Sequence, residues 1–424
     1  MQAEDKQLLW RASSLLLGFA LPTILLGKAV VFVLLGLGLI TGGLATKDES
    51  LRATVRLMLE SRITWLVVVF MLWALVGVFV GIDVAYSFDK WLQLLIAAVV
   101  AAVLFMVLRE MPGRHVENLL WALVAGTLVM AGLGMLDALW GYERLSAALH
   151  GVDKATTPYR LNFVSSALAV LLPFVWARLF MKARDGEAFA VRFGLAFAAL
   201  SVVALLVCGG RAGWVGGIFS LVLFLWLGGR YHGVAIHRWQ WLVGILLVPA
   251  SMALYALAYG QQFMWERASV LGEAGVGRGL LSGRLEVWSI ALQEVLNGGM
   301  GQLVWGIGVM NYRNLPQAVD LHPHNWAIQL LLETGVVGLG LFVVMMGMVL
   351  VRFFGFAKGN IYGVAAVAAV GGFLLSGLAN TSIFNLWWLA YLIFVCLLGW
   401  RAGWSGDDMK KRRRGRVVKV LGNG

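Results

Sequence analysis

Along most of this chain, apolar residues do not alternate with polar ones. They run together in blocks of membrane-spanning length, separated by short polar or glycine-containing breaks. Twelve blocks can be marked, at roughly 8–25, 28–45, 63–82, 91–108, 116–140, 161–181, 188–208, 211–228, 239–258, 324–351, 361–379 and 382–400. Each reads as a helix, because in lipid every backbone N–H and C=O has to be satisfied within the segment. The expected fold class is an all-α polytopic membrane protein of about 12 transmembrane helices, one integral membrane domain spanning 1–424. Between the first two blocks, Pro22 and Gly27 mark either a tight turn or a kink in one long tilted helix.

Only one connection is long, residues 259–323. Within it, 284–297 has an amphipathic helical pattern that puts Leu285, Trp288, Leu292, Val295 and Leu296 on one face. A loop of this length with internal periodicity is expected to be ordered over the bundle and functional. Its end leads into a site-like stretch. His322 and His324 flank Pro323, which keeps His322 out of helical geometry, and a long apolar run follows. The helix begins there with free N–H groups. Four residues apart on one face lie Gln329 and Glu333, and a carboxylate in an apolar helix is costly without a partner or a task.

Composition agrees with the pattern: 60% of residues are hydrophobic and 13% charged, about half the charged share usual in soluble domains. Net charge is +12. In a soluble chain that would suggest a nucleic-acid partner, but here much of it sits in Lys410-Lys-Arg-Arg-Arg414, inside a basic tail at 401–424. Such a tail is read as a cytoplasmic topology signal, and no nucleic acid is expected. The two cysteines, Cys208 and Cys396, form no metal-ligand or disulfide pattern. Residues from Leu8 run into the second block with no small-residue cleavage site, so no cleavable signal peptide is expected.

With both termini assigned to the cytoplasm, the connections that alternation puts inside carry most of the lysine and arginine. Only Lys28, Lys90, Arg144, Lys154, Arg160, Arg211, Arg267, Arg278, Arg284 and Arg313 fall outside, among 34 in all. That asymmetry puts the 259–323 loop on the outer side. Topology does not require the outer cations, so they are candidates for chemistry. Arg211 lies in the glycine-rich turn Cys208-Gly-Gly-Arg-Ala-Gly213, and Arg160 opens a block. Either can also be an interfacial anchor that snorkels to the headgroups. Arginine forks and a helix N-terminus suit a pyrophosphate, and a nearby histidine suits proton abstraction from a hydroxyl. Together they describe transfer of a group from a lipid pyrophosphate to an alcohol. No acidic metal-binding pair, HExxH, GxSxG or Walker pattern occurs, so neither a metal nor another cofactor is expected.

Arg211 in its glycine turn, Ser282-Gly-Arg284 with Trp288, Gly306-Ile-Gly308, and His324-Asn325 with Glu333-Thr-Gly-Val-Val-Gly338 together resemble the O-antigen ligase and polymerase superfamily, over roughly 190–355. The resemblance implies a glycosyltransferase of the bacterial inner membrane with a periplasmic active site. It implies a glycan donor on undecaprenyl pyrophosphate and, on the ligase branch favoured by His-Pro-His-Asn, the lipid A-core of lipopolysaccharide as acceptor. It assigns catalysis to His324 and the donor pyrophosphate to Arg211 and Arg284, with Arg160 beside them. His322, Asn325 and Glu333 take supporting or acceptor-binding places. His324 is expected to be the base because the helix start fixes it in the drier position, with His322 on a less anchored segment. Direct displacement would invert the anomeric carbon. Related polymerases and protein O-oligosaccharyltransferases fit the same motif. A flippase of lipid-linked sugars would also line a cavity with arginines, but would show paired halves that are not apparent here.

Overall fold

A computed structural model describes residues 2–46, 48–139, 157–186, 204, 211–234 and 284–403. Among them, all regular structure is helical: α1 (Ala3–Ala20), α2 (Lys28–Ala45), α3 (Asp48–Leu59), α4 (Arg62–Phe79), α5 (Val84–Glu110), α6 (Gly113–Leu139), α7 (Thr157–Arg184), α8 (Arg211–His232), α9 (Arg284–Asn297), α10 (Gly299–Trp305), α11 (Trp326–Ala357), α12 (Ile361–Gly377) and α13 (Leu386–Gly403). Nine are long and apolar enough to cross a membrane, and α12 is a shorter apolar helix. This is an integral membrane protein. The expected spans at 188–208, apart from residue 204, and 239–258, the loop residues 259–283 and the basic tail from 404 on lie outside the described residues.

The first two blocks are two helices. A short 3₁₀ turn, Leu21–Leu26, carries Pro22 at its start, and Gly27 breaks the chain at φ 120°, a conformation closed to L side chains. The helices then pack back to back. Ser13 Oγ donates to the Gly38 carbonyl at 2.7 Å, and a Cβ on Gly38 would collide with Leu17. Without a solvent drive between helices in lipid, such close backbone approach and interhelical hydrogen bonding supply the association.

α7 is the central helix, buried inside the protein along nearly all of its described apolar length. α12 packs against α7, α8, α11 and α13, and most of its residues are buried. Small side chains permit this: Gly372 has the carbonyls of Ala169 and Gly216 within about 3 Å of where a Cβ would sit. At the far end from the histidines, Arg401 donates to the carbonyls of Leu108 and Met111, both at 2.8 Å, satisfying the last turn of α5.

Beyond the central bundle lies a second apolar cluster, where α9 and the turn after α10 cover α11. The face of α9 that packs is only partly the expected one. Val287, Ala291 and Val295 are buried, with Trp288 beside them, whereas Leu285, Leu292 and Leu296 are exposed. Two apolar arcs coexist on this helix, and the one made of smaller residues fits against α11.

Candidate active site

The N-terminal half of α11 is not a regular helix. Gly335 takes φ 68°, ψ −177° in mid-run, and the ladder breaks there. The break strands three successive carbonyls, whose normal donors four residues on lie past it. Each finds another donor: Ile307 N to Leu332 O at 2.9 Å, Gly308 N to Glu333 O at 3.1 Å, and Trp73 Nε1 to Thr334 O at 2.9 Å. The approach is so close that a Cβ on Gly335 would strike the Val304 carbonyl, and one on Gly306 the backbone of Glu333. Gly306 and Gly308 both have positive φ, so the Gly-Ile-Gly spacing supplies the turn that carries these donors.

Glu333 completes the junction. It is fully buried, and its carboxylate accepts from Met310 N at 2.7 Å, Gln329 Nε2 at 3.1 Å and Tyr312 N at 3.4 Å. The same Gln329 amide donates to Ser382 Oγ at 2.8 Å, and its oxygen accepts from Ile383 N at 3.2 Å. Gln329 and Glu333 therefore do share a face, and that face clamps two connections, 306–314 and 378–385, onto α11.

That clamp positions the histidine loop. Asn325 is the N-cap of α11, its side chain accepting from Ala327 N and Ile328 N. Immediately before it, His324 sits at φ 56°, unusual for a residue with a Cβ. Strain of this kind persists only where surrounding contacts over-determine it, and here they do. Trp288 of α9 donates its indole N–H to Pro323 O at 2.8 Å, fixing the loop from one side. Asn380 O lies 2.6 Å from His324 Nδ1, fixing it from the other, and the Asn380 side chain donates to Ser166 of α7 at 2.8 Å. A carbonyl can only accept, so Nδ1 carries hydrogen and Nε2 is the nitrogen left to exchange a proton. Asp320 Oδ2 stands 2.9 Å from that Nε2.

His322 is held differently. Its Nδ1 accepts the backbone N–H of His324 at 3.3 Å, and the two rings are 4.1 Å apart. Burial first, then the neighbouring charges of His324 and Arg284, push its pKa down to about 3, only partly opposed by Asp320. His322 is thus a neutral ring with its hydrogen on Nε2, a donor and not a base. The expected order of burial is reversed: His322 is 7% exposed and His324 is partly exposed. Burial would raise the Asp320 carboxyl, but chiefly the hydrogen bond and charge of His324, with the Leu321 N–H, outweigh it, leaving the acid below its usual range.

The structure brings Arg284, His322, His324 and Asn325 to one end of α11, with Arg284 close enough for its charge to act on His322. Arg160 lies in the first turn of α7 and Arg211 begins α8, but their side chains lie outside the described residues. Their helices reach the same end. Gly213 of α8 lies against Ser165 of α7, and Ser166 holds Asn380, which holds His324. Glu333 faces another way, and its hydrogen-bond partners are Met310, Tyr312 and Gln329. Sequence reasoning missed Asp320, Asn380 and Trp73. Asp320 sits one helical repeat before His324 in the chain, but within a loop, where that spacing carries no signal.

Three more of the cations that alternation assigned to the outside, Lys28, Lys90 and Arg313, gather beside the 380–386 connection. A cleft of about 240 Å³ is lined by Lys28, Tyr86, Lys90, Asn385 and Trp387, with Arg313 stacked on Tyr86 at 5.2 Å. A larger cavity of about 780 Å³, between α1 and α6, is lined by Glu4, Arg11, Arg114, His115 and Trp121 and is remote from the histidines.

Among protein families, O-antigen ligase matches residues 196–343, a region that includes Arg211, Arg284, His322, His324, Asn325 and Glu333. No curated protein matches the chain.

Proposed function

We propose that the chain, whose residues 196–343 match the O-antigen ligase family, is a member of the O-antigen ligase and polymerase superfamily that transfers polysaccharide from undecaprenyl pyrophosphate to a hydroxyl of the lipid A-core. The observation that carries the reading is the state of His324: a carbonyl fixes Nδ1–H and so presents Nε2 for proton transfer, beside a buried neutral histidine and an arginine.

The reaction runs as a direct displacement. The acceptor hydroxyl gives its proton toward Nε2 of His324, and its oxygen attacks the anomeric carbon. The bond from that carbon to the pyrophosphate oxygen breaks, with inversion. Arg211 and Arg284, with Arg160, hold the departing pyrophosphate through bidentate forks, so that charge stabilisation needs no metal ion. His322 offers its Nε2–H to a substrate oxygen. Lysine and arginine asymmetry supports a cytoplasmic location for both termini and a periplasmic site in the bacterial inner membrane.

Deletion in the source bacterium and analysis of its lipopolysaccharide test the function. A ligase mutant keeps long lipid-linked polymer and leaves the core bare. Cores capped by a single unit would make it a polymerase, and unprocessed donor retained on the cytoplasmic face would make it a transporter. Purified enzyme should turn over in excess EDTA, and activity restored only by Mg²⁺ or Mn²⁺ would overturn the metal-free mechanism.

A further inference from the structure

We infer that Asp320 is a positioning residue for His324: the proton taken from the acceptor is received by the Asp320–His324 pair, in the bond between Nε2 and Oδ2, and not by an isolated imidazole. The inference rests on the glycosyl-transfer reading and adds to it the group that makes the histidine a competent base.

The argument is one of donors and acceptors. Asn380 O at 2.6 Å takes the Nδ1 hydrogen, so a neutral His324 ring presents a lone pair at Nε2. Oδ2 of Asp320 lies 2.9 Å away and is itself an acceptor when ionised. Without a proton between them, two lone pairs face one another, which is unfavourable. With one, the contact becomes a charge-assisted hydrogen bond, among the stronger kinds. The geometry therefore disfavours the proton-free pair and favours the loaded one, which is what makes a base strong.

The carboxylate is also held for this. Oδ1 accepts the Leu321 N–H at 2.6 Å, which turns Oδ2 toward the ring. Asp320 remains 41% exposed at its side chain and His324 21%, so an acceptor hydroxyl can reach the pair and solvent can later remove the proton. The described titratable groups facing the pair are His322 on the same loop, Arg284 on α9 and Tyr312 on the 3₁₀ turn 311–314, with Glu286 acting on Tyr312. His322 stays neutral above pH ~3 and so contributes no competing titration. Burial, and then the Asp320 charge, push the Tyr312 phenol up to about 12, clear of the working range.

In the step itself, the acceptor O–H bond breaks as its proton passes to Nε2. The C–O bond to the acceptor forms, and the bond to pyrophosphate breaks with its electron pair. Asp320 neutralises the imidazolium until the proton leaves through solvent. No oxidant, reductant or additional reactant is consumed.

The test compares full-length enzyme with Asp320→Asn and Asp320→Glu, using lipid-linked donor and lipid A-core acceptor across pH. Asparagine keeps the shape and can turn its amide N–H to the Nε2 lone pair, but it loses the charge. A carboxylate beside an imidazole favours its protonated form, and removing the carboxylate withdraws that help. In Asp320→Asn, kcat should fall at least about tenfold, and the acid limb of the rate profile should move to lower pH by about one to three units. The donor KM should hold, and Asp320→Glu should recover part of the rate. A limb that stays in place, or an equal loss at all pH values, would overturn the inference. Nitrogen-15 NMR of the His324 ring, assigned by the signal lost in His324→Asn, reads the same point without catalysis. Its titration should move to lower pH in Asp320→Asn, and an unmoved titration sinks the pair even if transfer is seen. If wild-type enzyme shows no transfer while the NMR shift appears, the function falls and the pair stands.

Discussion

Replacing Gly335 by alanine should break the junction on which the site is built. At φ 68°, ψ −177°, a region essentially reserved for glycine, an L side chain costs about 1–3 kcal/mol by backbone sterics alone. The new Cβ would also strike the Val304 carbonyl, so the 304–308 backbone has to withdraw. Withdrawal removes the donors to Leu332 O and Glu333 O, and each buried carbonyl left unpaired costs about 1–3 kcal/mol. The total is on the order of 3–9 kcal/mol, comparable with the whole stability of many domains. Gly340, five residues on in the same helix, is the control. It is exposed, its Cβ would meet nothing within 4 Å, and alanine there should stabilise by roughly 0.5–1 kcal/mol. Thermal unfolding of the two variants in one detergent, followed by circular dichroism, makes the comparison. Equal midpoints would refute the account of α11.

His324→Ala should abolish detectable transfer while donor still binds, whereas His322→Ala should leave a measurable remainder; a reversal in quantified turnover at equal expression would exchange their roles. Because His322 has a depressed pKa in the fold, the unfolded chain binds its proton more readily. Its contribution is therefore present above pH ~6.5 and lost progressively as pH falls toward 3, and His322→Asn should flatten that part of the stability–pH curve. Arg211→Lys and Arg284→Lys keep charge but lose the fork, and each should cut kcat about a hundredfold in a purified assay with the protein still folded. Near-normal rates would make them interfacial anchors. With Cys208 and Cys396 replaced by serine, Gln317→Cys should react with an impermeant thiol reagent in intact spheroplasts; reaction only after lysis would place the site on the other side.

Much of the architecture was legible because lipid imposes a single rule on the backbone. Long apolar blocks had to be helices, while a glycine beyond a proline left a turn or a kink open between the first two, and the structure has the turn. What hydropathy could not supply was which apolar face meets protein. On α9 the larger residues Leu285, Leu292 and Leu296 formed the more persuasive stripe, but Val287, Ala291 and Val295 are the ones buried. In a membrane protein an exposed leucine costs little, so hydrophobicity no longer marks the inside. The site was legible at the His-Asn helix start and at the glycine spacings. It was not legible where the contacts are distant: Trp73 and Thr334 are 261 residues apart, and Asn380 lies 56 beyond His324. Asp320 was hidden by ordinariness, one acid at the end of a loop.

The stranded carbonyls of α11 bear on how the protein is made. A nascent helix entering lipid alone would carry a buried carboxylate and three bare carbonyls, a poor candidate for insertion as an independent unit. Two of the missing donors, Ile307 and Gly308, lie just upstream and are translated immediately before it. The third, on Trp73, belongs to a helix made much earlier. Biogenesis should therefore hold this segment beside α4, in contact with its own leading loop, until the three donors are in place. A site assembled in that way forms only when its membrane helix does, so a chain stalled before 340 would have the histidines but nowhere to seat them.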